Sequence, residues 1–155
     1  MMSHALVIPI GRPTFDLELG TVQVAAATLL LDWVGVQSAG VRAIITDIDE
    51  LDDVLAAVVD PPDLVVVLQA TFADASLVGR IADRIDAPMV VWSFPEARTG
   101  ERLRLNSLCG ANLAAYLLRR RGALVRFVHV DPTDLTASDL VREALERAHE
   151  PIAAP

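Results

Sequence analysis

The run Leu64-Val65-Val66-Val67-Leu68 holds no polar residue at any position. A strand with one face in water alternates apolar and polar residues. Five apolar positions in succession read instead as a parallel strand buried on both faces. Such a strand needs a covering layer on each side of its sheet. The rest of the chain supplies them, because apolar runs at 5–10, 41–45, 89–92 and 124–130 alternate with segments of helical period. Helices are expected over 17 to about 36, over 49–58 with Asp49 as cap, and over 73–85, 107–121 and 135–149. In the second of these, Leu51, Val54, Leu55 and Val58 fall on one face. Strict strand–helix alternation gives right-handed crossovers and a parallel sheet. The expected fold is therefore α/β, a single three-layer doubly wound domain over 1–150. Its five-stranded parallel sheet takes the flavodoxin-like order 2-1-3-4-5, with runs three and four central. Residues 151–155 read as a frayed tail.

Composition narrows the chemistry. Among 155 residues there are 13 basic side chains, every one an arginine. A guanidinium keeps its proton near neutral pH, so Schiff-base chemistry, pyridoxal-phosphate catalysis and a P-loop lysine are all excluded. The net charge of −8 opposes nucleic acid binding. One cysteine, Cys109, rules out an internal disulfide and a multi-cysteine zinc site, and His4, His129 and His149 show no paired ligand spacing. No G-x-G-x-x-G follows the first run, which argues against a dinucleotide site. The longest weakly polar stretch, 19–31, falls short of the ~20 residues a membrane span needs, and a cytoplasmic location is expected.

Open α/β sheets bind ligands beyond the carboxyl ends of their strands. That edge would hold Arg12 and Asp16 after the first strand, Thr46 and Asp47 after the second, and Gln69, Thr71 and Phe72 after the third. Trp92 and Glu96 follow the fourth strand, the helix start Asn106-Ser107 faces the same edge, and His129 and Asp131 close the fifth. The expected substrate-binding residues are Arg12, Gln69, Thr71, Phe72, Trp92 and Asn106. Each has a structural alternative: Arg12 pairs with Asp16, Trp92 packs in the core, and Asn106 or Ser107 caps a helix. The run Arg119-Arg120-Arg121 reads as favourable charge at a helix C-terminus. Cys109 is the one candidate nucleophile, with His129 as a possible base for a small hydrolase.

Three segments carry a resemblance: 68–74 (LQATFAD), 88–96 (PMVVWSFPE) and 102–112 (RLRLNSLCGAN), together with the opening 8–16 (IPIGRPTFD). They resemble the N-terminal region of L-fucose and L-arabinose isomerase-like proteins across nearly the whole chain. The resemblance implies a carbohydrate-metabolism role in aldose–ketose isomerisation, which the family performs with a divalent metal, usually manganese. The metal ligands belong to later domains of those longer proteins, so no cofactor is expected on this chain. The resemblance further implies a domain that lends residues to the substrate pocket and to assembly. The loop of Arg12 and the loop after the third strand are the matching positions, and Trp92 matches a family tryptophan. The expected partner is a sugar or other small polyol. The competing reading is a stand-alone, non-catalytic ligand-binding module.

The first long helix carries Val22, Ala25, Ala26, Leu29, Leu30 and Trp33 on one side and Val24, Ala27, Leu31 and Val34 on much of the rest. A helix apolar almost all round has a second face to bury. A homo-oligomer, or a complex with a chain carrying the catalytic domains, is expected.

Overall fold

The computed structural model describes residues 3–39 and 43–152. Strands β1 (Ser3–Ile10), β2 (Val36–Ala39), β3 (Leu64–Gln69), β4 (Met89–Ser93) and β5 (Val125–His129) form one parallel sheet in the order β2-β1-β3-β4-β5. Helices α1 (Leu17–Trp33), α2 (Ile48–Ala56), α3 (Ser76–Arg84), α4 (Ser107–Arg120) and α5 (Ala137–Glu146) cover its two faces. The architecture and strand order are those expected from the apolar runs.

All six residues of β3 are buried. Leu64, Val66 and Leu68 pack with Val24, Ala27 and Leu31 of α1 and Val141 and Ala144 of α5. Val65 and Val67 face the other way, into Leu51, Leu77, Ile81, Ala114 and Leu118 of α2, α3 and α4. Fully burying each such side chain contributes about 1.5–3 kcal/mol. Trp92 and Phe94 extend the first of these layers with ring centroids 5.6 Å apart.

The second strand differs from expectation. It was placed at 41–45, of which 41 and 42 lie outside the described residues. The paired segment is Val36–Ala39, aligned with Ser3 to Leu6, and Ile45 makes only an isolated bridge to Ile10. The reason is Gly35. At φ +87° it reverses the chain directly after α1, so Val36 enters the sheet instead of extending the helix. Between Leu6 and Ile10 the first strand has three residues, while five separate Ala39 from Ile45, so the ladder cannot run on unbroken.

Two helix starts also differ. Asp47, not Asp49, caps α2, its Oδ1 accepting from the Glu50 N–H at 2.9 Å. Helix α3 starts at Ser76 rather than 73. The three arginines that end α4 are each engaged. Arg119 lies over the Phe127 ring, Arg120 donates to the Tyr116 hydroxyl, and Arg121 bonds the Gly79 carbonyl and pairs with Asp83.

Candidate functional site

The strand order reverses between β1 and β3, so the loops that leave these two strands meet at the switch point of the sheet. Thr71 joins them. Its buried hydroxyl accepts from the Arg12 N–H at 2.9 Å and donates to the Phe72 carbonyl at 3.0 Å. Gln69, also buried, turns back along its own chain and donates from Nε2 to the Thr71 carbonyl at 2.9 Å. There is room for that amide only because residue 110 is glycine: a Cβ there would stand 2.7 Å from Gln69 Nε2.

Above these buried groups the side chains form a cation–aromatic ladder. The Arg12 guanidinium lies 5.7 Å from the centre of the Phe72 ring, Phe72 packs on Phe15 at 5.6 Å, and Arg102 lies 5.0 Å from the Phe15 centroid. Arg102 also donates to the Thr14 carbonyl at 3.3 Å, and among the described residues it forms no ion pair with a carboxylate. Beside Arg12 opens a hollow of about 240 Å³, lined by Gly11, Thr46, Asp47, Asp74 and Ser76 among others. Arg12 reaches Asp74 across it at 3.6 Å, and both side chains remain about half exposed. Bonds from Ser76, aided by Arg12, hold the Asp74 carboxyl below the usual carboxylate range.

The expected Arg12–Asp16 pair does not form. Asp16 accepts from the Leu19 N–H at 3.0 Å as the cap of α1 and takes two bonds from Arg104, at 2.9 and 2.6 Å. These contacts, the Leu19 bond first, hold its carboxyl below the usual range. Arg104 thereby ties the loop before α4 to the loop after β1.

The start of α4 also departs from the expected cap. Asn106 sits at the N-cap position with φ +50°, and its side chain makes no capping bond. Glu96 instead fixes the loop that leads into the helix, its carboxylate accepting from the N–H groups of Arg104, Leu105 and Asn106 at 2.7–3.1 Å. Three successive amides on one carboxylate form an anion nest already filled from within. Ser107 turns inward, accepting from the Phe94 N–H at 3.0 Å and donating to the Gln69 carbonyl.

Of the six expected substrate-binding residues, the structure brings Arg12 and Phe72 together at an accessible edge. Gln69 and Thr71 lie directly beneath them and position the loops. Asn106 stands by the filled nest. Trp92 is fully buried, its Nε1–H donating to the Val130 carbonyl at 2.9 Å, so it has no face to offer a ligand. Phe15, Arg102 and Arg104 complete the edge. No local pattern marks them, since Arg102 and Arg104 come from a polar loop 88 residues from their contacts Thr14 and Asp16.

Cys109 is exposed on the first turn of α4, while His129 is engaged through Nδ1 with the Ser93 hydroxyl at 2.8 Å. Burial holds the His129 imidazole below its usual pKa. Among the described residues no three His, Cys, Asp or Glu side chains group as metal ligands. A second hollow, of about 320 Å³, lies between β5 and α5. Its arginines Arg126 and Arg147 are paired with Glu143 and Glu150, which leaves little net charge for a ligand. Among the described residues no helix is long and apolar enough to cross a membrane.

No family model matches the chain. It is 33% identical over 139 residues to the sulfoquinovose isomerase of Alkalicoccus urumqiensis, which covers 89% of this chain and 31% of that protein. It is likewise 33% identical over 133 residues to the sulfoquinovose isomerase of Priestia megaterium (strain ATCC 12872 / QMB1551), covering 83% of this chain and 29% of that protein. A third sulfoquinovose isomerase, from Clostridium sp. (strain MSTE9), is 34% identical over 116 residues. The chain thus spans about a third of the length of the curated relatives it matches, and over that length it is related to sugar isomerases.

Proposed function

We propose that this chain is the amino-terminal, L-fucose/L-arabinose isomerase-like part of a sugar isomerase. Its 1–150 region acts as one unit in the cytoplasm, and its carboxyl sheet edge walls the substrate pocket. The observation that carries this reading is the Arg12–Phe72–Phe15–Arg102 ladder beside the switch-point hollow. Aromatic faces suit the C–H faces of a sugar, guanidiniums suit an anionic group, and Asp47 and Asp74 can accept from hydroxyls. The relatives' name adds the substrate class: sulfoquinovose is a sugar with a permanently charged sulfonate, a fit for the guanidinium at one end of the ladder, Arg12 or Arg102, while the ring lies along the phenyl faces.

Aldose–ketose isomerisation moves hydrogen between two carbons, by a base and proton shuttle or by a metal that polarises the oxygens. The ladder supplies neither. In this reading it grips the sugar's charged end, and the bond changes belong to other domains, where manganese or another divalent metal would act.

Calorimetric titration with sulfoquinovose and with glucose tests the reading. Preferential binding of the sulfonated sugar, weakened about tenfold or more by Arg12→Ala or Arg102→Ala, is the expected result. Equal affinity for both sugars, or binding indifferent to both substitutions, overturns it. The stand-alone module differs in a second assay: adding the remaining domains of a relative, with manganese, restores turnover only if this chain belongs to an isomerase.

A further inference from the structure

Helix α1 buries Val24, Ala27 and Leu31 against the sheet, yet its outer face is also apolar. Val22 is 63% exposed, Leu29 72% and Trp33 80%, and Ala26 lies between them half-buried. These four positions are spaced 4, 3 and 4 residues apart, the heptad spacing of a helix–helix seam. The spacing is a palindrome. A second α1 running antiparallel presents the same four positions in the same places, with large residues opposite smaller ones. A parallel copy would instead stack Trp33 on Trp33 and leave a gap between two Ala26 residues.

Charge selects the same orientation. The only ionised side chains of α1 are Glu18 near its start and Asp32 near its end, both exposed. A parallel pair sets Glu18 against Glu18 and Asp32 against Asp32, whereas in the antiparallel register Asp32 falls opposite Gln23 of the second copy and Glu18 falls beyond its Trp33, so no two carboxylates stand directly opposite.

We propose that two copies of this chain pair through α1 as an antiparallel, two-fold symmetric dimer, Val22 packing on the second copy's Trp33 and Ala26 on its Leu29. Covering these side chains and the adjoining alanines on both copies removes roughly 1,000 Å² from water, the size of a weak, reversible interface rather than a permanent one. A reversible dimer forming at micromolar concentration follows.

Sedimentation velocity from about 1 to 200 μM, followed in parallel by tryptophan emission, tests this. Trp92 is buried in either state, so a blue shift on concentrating the protein reports on Trp33. The expected result is a monomer–dimer transition that accompanies the shift. Leu29→Glu, at an exposed position, should abolish dimerisation, with an unchanged melting curve at about 1 μM, where the wild-type protein is monomeric. In a Cys109→Ser background, Ala26→Cys combined with Leu29→Cys should give a disulfide-linked dimer on mild oxidation. A monomer at the highest concentration overturns the proposal and leaves the face to a different chain. So does a dimer that survives Leu29→Glu, and a dimer that fails to cross-link overturns the register.

Discussion

The Arg12 N–H donates to the Thr71 hydroxyl at 2.9 Å, and through that bond one buried side chain spaces the two loops that meet where the sheet order reverses. Thr71→Val keeps the shape of the side chain and removes the acceptor. The expected cost is about 1–3 kcal/mol, the penalty of a backbone donor left unsatisfied. Urea unfolding measures it, and Thr71→Ser should recover most of the loss. If valine is as stable as threonine, the bond does not hold the loops.

Glu96 is expected to matter more than any residue of the cap position itself. Glu96→Gln replaces a carboxylate serving three amides with a neutral group that offers one oxygen. A loss of about 1.5–3 kcal/mol is expected. Hydrogen exchange should quicken at the Leu105 and Asn106 amides ahead of the sheet. Asn106→Gly, which keeps the left-handed backbone, should change stability far less than Glu96→Gln, because the Asn106 side chain caps nothing.

Gly110→Ala puts a methyl group 2.7 Å from Gln69 Nε2 and 3.2 Å from the Ala73 backbone nitrogen. The backbone contact cannot swing away, so α4 must shift. A destabilisation of about 1–3 kcal/mol is expected, as for other overpacked sites, despite alanine's better helix propensity. A more stable variant would show that the helix start adapts freely.

Acid should weaken the fold in two separate windows. Burial holds the His129 imidazole below its ordinary 6.5. As pH falls past that value the unfolded chain takes the proton first, so His129 costs stability from about pH 6.5 down to its depressed folded value. The Asp16 carboxyl is held below 3.8 by the Leu19 N–H and Arg104. Its contribution is complete above the ordinary carboxylate range and is lost as pH falls through the depressed value. Urea midpoints between pH 8 and 3 should therefore show an upper limb that His129→Gln flattens and a lower limb that Asp16→Asn flattens. An upper limb unchanged in His129→Gln rules out the histidine as its source.

What the sequence determined by itself was the class of fold. The polar-free run at 64–68 demanded a sheet covered on both faces, and strand–helix alternation set the direction of the strands, because periodicity is a local property written in neighbouring residues. Arg12 and Phe72 were legible as edge residues for the same reason, since each follows an apolar strand. Tertiary structure decided the rest. Trp92 was drawn into the core with the rest of the fully buried β4, and Val130, a partner 38 residues away, satisfies its indole N–H. Asp16 went to Arg104 rather than to Arg12, and the amides leading into α4 went to Glu96, because a charged group takes whichever partner folding brings within reach. The second strand moved ahead of 41–45 because one left-handed residue, Gly35, ended the helix early, and a single backbone angle leaves no mark on hydrophobic pattern.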